Sequence, residues 1–311
     1  MNRALAAEGL VLKAVSPLGF KTAQRLMGPL SAGALRMLPL HHLHCKKGQL
    51  HRADGSAMRI CLMRSEKRSG KCIGILWLHG GGYVLGAPEM AVMSFPRHLL
   101  KHCNCVIVAP DYALSYQKPY PAAIEDAYAA LQWMKQHRRQ LGIESEKLVV
   151  GGESAGGGLC AALCLYTRDR GEKCIGMQLP LYPMIDDRET VTSRCNRAPV
   201  WDTKANRAAW EMYLGTGLDK SAVPPYAAPA RAESVKGLPP AISIIGSIEP
   251  FYAETVHYFR RLATAGIPSA LGVAKGAYHA FDMLAPYAPV SRRATAFLLQ
   301  KYAQFVKRYM I

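Results

Sequence analysis

The residues with the strongest potential for chemistry are Gly152-Glu153-Ser154-Ala155-Gly156, a G-x-S-x-G pattern. The pattern directly follows the apolar run Lys147–Gly151, which is typical of a buried strand, and an Ala/Leu-rich stretch typical of a helix comes next. A sharp strand-to-helix turn exposes a serine Oγ, and the helix N-terminus offers free N–H groups to a developing negative charge. The pattern therefore predicts Ser154 as a catalytic nucleophile.

A second candidate motif, His79-Gly80-Gly81-Gly82, ends the apolar run Cys72–His79. Glycines at a strand end let backbone N–H groups approach a ligand closely, as an oxyanion hole requires. A nucleotide-binding loop is the alternative, and it is disfavoured because no Lys-Ser/Thr pair follows the glycines. A formal G-x-G-x-x-A match at residues 156–161 does not begin at the strand end, so a dinucleotide site is not predicted either.

The two motifs together resemble those of the hormone-sensitive-lipase family of α/β hydrolases. The similarity continues through four further segments, which are Pro110–Leu114, Tyr120–Ala123, Tyr182–Asp186 and Gly237–Ala241. Two departures are Ala113, where the family usually has Arg, and Glu153, where it often has Asp. The resemblance implies an α/β-hydrolase fold, with a mostly parallel sheet flanked by helices and a helical cap. It also implies a serine carboxylesterase that needs no cofactor and hydrolyses short- to medium-chain acyl esters.

The family's chain order places the acid and the base of a catalytic triad after the serine. His279 lies in a segment that resembles the family's H-G-F loop, whereas His257 lies within a helical pattern. Glu249 stands at the acid's place in a segment that resembles the family's G-x-x-D-P-L. Glu254 is the fallback, and Asp282 is disfavoured because it is too near the histidine in sequence. The expected triad is therefore Ser154, His279 and Glu249.

Two further groups of residues complete the expected site. Backbone N–H groups of Gly81, Gly82 and Ala155 are expected to receive the oxyanion. Three aromatic residues of the segment 185–225 are candidates for lining the substrate pocket, or else for holding the cap to the core: Trp201, Trp210 and Tyr213.

The elements that must position these residues follow from hydrophobic patterning. Apolar runs typical of strands are Cys72–His79, Cys105–Pro110, Lys147–Gly151, Cys174–Tyr182 and Ala241–Gly246, and they alternate with helical patterns at Pro121–Gln136, Gly158–Arg170 and Tyr252–Ala265. Such alternation predicts a parallel sheet covered on both faces. Residues 48–63 predict a hairpin that turns at Asp54-Gly55. We expect a catalytic core at 48–184 and 226–311, and a cap at 1–47 and 185–225.

The composition raises a different function class, because 39 Lys and Arg against 22 Asp and Glu give a formal net charge of +17. Residues 1–71 hold 13 of these cations and only three acids. A basic excess suggests a nucleic-acid partner, but no helix-turn-helix, RNP or zinc-finger pattern accompanies it, so none is predicted. The cluster at residues 41–45 has the residue types of a metal site without a common zinc spacing, so no metal is predicted.

The remaining expectations concern location and partners. No secretory signal is expected because Arg3, Glu8 and Lys13 interrupt the first residues, and no apolar run is long enough to predict a membrane span. Several of the nine cysteines lie in apolar runs, which favours a reducing compartment, and we expect the cytoplasm. The expected partner is a small-molecule acyl ester, and a homodimer stays open. An amidase or deacetylase, a thioesterase and a non-catalytic receptor on the same scaffold remain alternatives.

Overall fold

The fold is built on one eight-stranded sheet, as seen in a computed structural model that describes residues 2, 5, 33–35, 45–52, 54–66 and 71–310. The strands are β1 (Cys45–His51), β2 (Ala57–Arg64), β3 (Ile73–Leu78), β4 (Cys105–Pro110), β5 (Leu148–Glu153), β6 (Ile175–Leu181), β7 (Ala241–Gly246) and β8 (Ser269–Ala274). The apolar runs of the sequence therefore form the expected strands.

The strands lie side by side in the order β1-β2-β4-β3-β5-β6-β7-β8. β1 and β2 form an antiparallel hairpin, and β2 also pairs antiparallel with β4, whereas all other pairs are parallel. Every residue of β3, β4, β5 and β7 is buried, as expected for parallel strands covered on both faces. The predicted hairpin and its Asp54-Gly55 turn are confirmed.

Seven α-helices lie within residues 71–310, and most of them cover the two faces of the sheet. They are α1 (Phe95–His102), α2 (Ala122–Gln136), α3 (Ala155–Asp169), α4 (Thr203–Leu214), α5 (Tyr252–Thr264), α6 (Phe281–Leu284) and α7 (Pro289–Tyr309). α1 and α7 pack together on one face, and α2, α3 and α5 cover the other. α3 begins at Ala155, three residues before the predicted start, because the glycines that weaken the helical pattern are held in place by close packing.

The helix α4 lies within the segment 185–225, which the sequence predicts as part of a cap. Asp202 begins it, since its carboxylate accepts a hydrogen bond from the backbone N–H of Ala205 (2.8 Å). The other predicted cap segment, 1–47, lies outside the described residues except at 2, 5, 33–35 and 45–47. Among the described helices, none is both long enough and apolar enough to cross a membrane.

Candidate active site

Ser154 occupies a sharp turn between β5 and α3. Its backbone has φ = 59° and ψ = −119°, a conformation that a residue with a side chain adopts only at a cost. Gly156 makes this turn possible, because a Cβ there would lie 2.0 Å from the carbonyl oxygen of Leu78. The turn lifts the Ser154 side chain off the end of the sheet and leaves it at the N-terminus of α3.

His279 joins the serine to a carboxylate. Its Nε2 lies 2.8 Å from the Oγ of Ser154, and its Nδ1 is hydrogen-bonded to Oε2 of Glu249. All three side chains are buried, and the exposed fraction of Glu249 is 0%. The ring of His279 is enclosed edge-to-face by Tyr182 and Phe251, each with its centroid 5.1 Å away. The structure thus brings together the three residues predicted as a triad. The histidine lies between the serine and the carboxylate, as a serine nucleophile and its base require.

The loop after β7 fixes the acid. The second carboxylate oxygen of Glu249 accepts a hydrogen bond from the backbone N–H of Gly246 (2.8 Å). This loop is bonded to the histidine's own loop, because Ile248 N–H donates to the carbonyl of Ala277 (3.2 Å) and Gly276 N–H donates to Ser247 Oγ (2.8 Å). Glu249 and His279 therefore lie on two loops that are hydrogen-bonded to each other.

The alternative partners considered from the sequence lie elsewhere. Glu254 is buried in α5, and its carboxyl accepts hydrogen bonds from the backbone N–H groups of Ile185 (2.8 Å) and Asp186 (3.3 Å) rather than from His279. Burial raises the pKa of Glu254 well above its ordinary range. His257 is exposed on the same helix. Neither position contacts the serine.

The glycine motif after β3 lies beside the serine. A Cβ on Gly80 would be 3.3 Å from Cβ of Ser154, so the loop passes directly over the nucleophile. Gly82 has φ = +62°, and a Cβ there would meet the indole of Trp201 at 2.3 Å. Among the described residues, no protein acceptor is hydrogen-bonded to the backbone N–H groups of Gly81, Gly82 or Ala155. These three N–H groups therefore stay candidates for hydrogen bonds to a substrate oxygen.

His79 holds the glycine motif in place through a hydrogen bond and a ring contact. Its Nδ1 lies 2.8 Å from the carbonyl oxygen of Gly80, and its ring stacks on Tyr112 with 4.2 Å between centroids. The Tyr112 hydroxyl donates to the carbonyl of His79 itself (2.7 Å). Complete burial lowers the pKa of His79, so the ring is neutral and its Nδ1–H can donate to Gly80.

A buried acidic pair adjoins the serine on its inner side. Glu153 accepts a hydrogen bond from the indole N–H of Trp77 (2.5 Å). Burial raises the pKa of Glu153 to about 8, a rise that the nearby charge of Asp282 reinforces. Burial likewise raises the pKa of Asp282 to about 6. At neutral pH the carboxyl of the residue next to Ser154 is therefore mostly uncharged.

The three predicted pocket residues take two different positions. Trp201 lies over Gly82, with its ring centroid 6.3 Å from that of His279. Trp210 and Tyr213 of α4 instead pack on Tyr83, which stacks on Tyr213 with 3.7 Å between centroids. Trp201 thus lies close to His279, whereas the other two pack α4 against Tyr83, directly after the glycine motif.

Several site residues were not predicted from the sequence. Phe251 and Tyr182 lie in segments that carry the family resemblance, so the motifs could have indicated them. The proximity of Glu153 to Asp282 leaves no local signal, because the two are far apart in the chain. Within the described part of the chain, no group of three or more His, Cys, Asp or Glu could hold a metal ion, and His41, His42 and His44 lie outside it.

Comparisons with known proteins identify the fold and the proteins that this chain resembles. A family model described as an α/β-hydrolase fold matches residues 75–283. The esterase LipI of Mycobacterium tuberculosis is 34% identical over 223 residues, covering 71% of this chain and 69% of the relative. An ethyl acetate hydrolase of Pseudomonas putida is 27% identical over 233 residues, covering 73% and 72%. The solved structure of a bacterial heroin esterase superposes with a TM-score of 0.85 at 29% identity and covers 96% of both chains.

Proposed function

The chain belongs to the α/β-hydrolase family, and we propose that it is a serine carboxylesterase with Ser154 as nucleophile, His279 as base and Glu249 as acid. It is a carboxylic ester hydrolase, as are the named esterases it resembles. The observation that carries the residue assignment is the continuous hydrogen-bonded chain from Ser154 Oγ through both nitrogens of His279 to the buried carboxylate of Glu249.

In the first half of the reaction, Nε2 of His279 takes the proton of Ser154 as Oγ attacks the ester carbonyl carbon. The carbonyl oxygen becomes an oxyanion and accepts hydrogen bonds from the N–H groups of Gly81, Gly82 and Ala155. Each such donor contributes about 10²–10³-fold to turnover. When the C–O bond to the alcohol breaks, His279 returns the proton to the departing oxygen and the acyl group stays on Ser154.

In the second half, water replaces the alcohol. His279 removes a proton from the water as its oxygen attacks the acyl carbon, and the carboxylic acid then leaves as Ser154 regains a proton. Glu249 keeps Nδ1 of His279 protonated throughout, so that Nε2 remains free to act as a base. Every step uses groups of the chain and a water molecule, so no cofactor is part of the proposal.

The substrates proposed are small esters with short- to medium-chain acyl groups. Trp201 supports this limit, because its indole covers the glycine loop and lies close to His279. We assign Trp201 to the wall of the substrate pocket, with Trp210 and Tyr213 behind it as the anchor of the cap. A cytoplasmic location, a homodimeric state and the division into a core at 48–184 and 226–311 with a cap remain predictions from the sequence.

The test is Ser154→Ala, assayed with p-nitrophenyl esters from acetate to laurate beside an acyl anilide and an acyl thioester. We expect hydrolysis to fall about 10³-fold or more, and a fluorophosphonate probe to label the wild type but not the variant. Ser221→Ala, at an exposed serine bonded to Asp219, should remain active and labelled. Substantial ester hydrolysis by folded Ser154→Ala would refute the assignment, and faster turnover of the anilide or thioester would favour an amidase or a thioesterase.

A further inference from the structure

The loop that carries Glu249 is also held from outside, by residues 190–203 of the cap, here called the cap strap. Thr192 contacts the loop on the C-terminal side of the acid. Its hydroxyl donates to the carbonyl of Pro250 (2.8 Å) and accepts from the backbone N–H of Ala253 (3.0 Å). One side chain thus joins the cap strap to the loop and to the first turn of α5.

Asn196 contacts the same loop on the N-terminal side of the acid. Its Nδ2 donates to the carbonyls of Ile248 and of Thr192, each at 3.0 Å. Its Oδ1 accepts from the backbone N–H of Ala198 (2.8 Å), which fixes the orientation of the amide. The two side chains therefore bond the peptide group immediately before Glu249 and the second peptide group after it.

The cap strap is itself firmly held. The Thr203 hydroxyl donates to the carbonyl of Ser193 (2.6 Å) and accepts from the N–H of Asn196 (2.7 Å), which closes the strap onto the start of α4. Near its end, Val200 has φ = +73°, an unusual backbone for a β-branched residue, and Trp201 follows over Gly82. One segment therefore contacts the acid loop, the histidine ring and the glycine loop.

We propose that Thr192 and Asn196 are positioning residues for ester hydrolysis, which hold the loop on both sides of Glu249 so that its carboxylate stays aligned with His279. This proposal rests on the assignment of Glu249 as the catalytic acid. Neither residue touches the reacting atoms, and both act through the loop backbone. Small misalignments of a catalytic group are costly in rate, so a loosened loop should lower turnover more than substrate binding.

The experiment compares Thr192→Val, which keeps the side-chain shape and removes the hydroxyl, with Thr192→Ser, which retains the hydroxyl. With p-nitrophenyl acetate we expect Thr192→Val to lower kcat about three- to tenfold, the range that one neutral hydrogen bond supports. KM should change less than about twofold, and Thr192→Ser should recover most of the lost kcat. Thr264→Val, at an exposed threonine at the end of α5, is the matched control and should behave as the wild type.

A double-mutant cycle separates positioning from general destabilisation. In the Glu249→Gln background, Thr192→Val should lower the residual kcat less than about twofold, because the group it positions is already lost. An equal fold loss in both backgrounds would show a general structural role and overturn the proposal. If Thr192→Val does not fold, Asn196→Asp decides the same question, because it is isosteric and removes the donor to Ile248.

Failure of this proposal is distinct from failure of the proposed function. Wild-type kcat in Thr192→Val and Asn196→Asp, with Ser154→Ala inactive, refutes the positioning role alone. Activity in Ser154→Ala refutes the proposed nucleophile whatever the cap-strap variants do.

Discussion

Glu153 allows the electrostatics of the site to be tested by measuring how the free energy of unfolding depends on pH. Its side chain is buried, one oxygen accepts from the Trp77 indole, and the other has no hydrogen-bond partner among the described residues. Burial raises the pKa of the carboxyl from an ordinary 4.5 to about 8. The perturbation is Glu153→Gln, which keeps the shape and the acceptor for Trp77 but cannot ionise.

The direction in which pH changes the free energy of unfolding follows from proton binding. Between pH 4.5 and about 8 the folded protein keeps the Glu153 proton that the unfolded chain has lost, so the free energy of unfolding falls as pH rises. Each pH unit in this window costs about 1.4 kcal/mol, and above about pH 8 the loss is complete. Raising the pH from about 6 to about 8.5 should therefore destabilise the wild type relative to Glu153→Gln by about 2–3 kcal/mol. Asp282 is present in both proteins, so its own titration largely cancels in the difference.

The assay is urea unfolding of both proteins at several pH values, with the m-values compared to confirm a two-state transition. Glu146→Gln is the control for loss of a carboxylate at the surface, because the Glu146 side chain is 90% exposed. Parallel stability curves for the wild type and Glu153→Gln across this pH range would refute the reasoning, since a carboxyl that ionises freely inside the fold would not couple to folding.

Two other substitutions test the scaffold around the site. Gly82→Ala should lower kcat/KM about 10²-fold or more, because the new Cβ would meet the Trp201 indole at 2.3 Å and displace a proposed oxyanion donor. Gly171→Ala, at a similar positive φ with nothing within 4 Å, should keep its activity. Arg52→Met should lower the free energy of unfolding by about 1–3 kcal/mol, measured in urea, because it leaves the buried Asp126 carboxylate without its guanidinium partner. Asp126→Asn in the same chain should recover part of that loss, and an unchanged unfolding midpoint in Arg52→Met would contradict the argument.

The sequence predicts the strands and the sharp turn at Ser154 well because each depends on local pattern. The unbroken apolar run Ile73–Leu78 predicts a strand that is buried on both faces. In the structure it is such a strand, within the parallel part of the sheet. The turn at Ser154 is equally local, since the requirement for small residues falls on its immediate neighbours. By contrast, the start of α3 is misplaced because glycines disfavour a helix in isolation, and only packing against the ends of β3 and β6 overrides that preference.

Glu249 and Glu254 are harder to separate by sequence, because both are acids near the end of the same strand. They differ in what each faces: Glu249 lies in the loop facing His279, and Glu254 lies in the first turn of α5, facing the backbone of Ile185. The contacts of Thr192 and Asn196 are even less accessible to sequence reasoning. Hydroxyl and amide groups in a polar segment have many equivalent partners until the fold brings one loop beside them.

Ala113 shows why a departure from a motif does not by itself remove a bond. The resemblance leads us to expect an arginine at this position, and its replacement suggests a lost local contact. In the structure the backbone N–H of Ala113 donates to Asp126 (2.8 Å), and Arg52 binds both oxygens of the same carboxylate at 2.5 and 3.0 Å. The guanidinium thus comes from the hairpin β1–β2 rather than from the motif itself. Since a buried carboxylate needs a cation but not one from a particular segment, Arg52 balances the charge of Asp126 in this chain although residue 113 carries none.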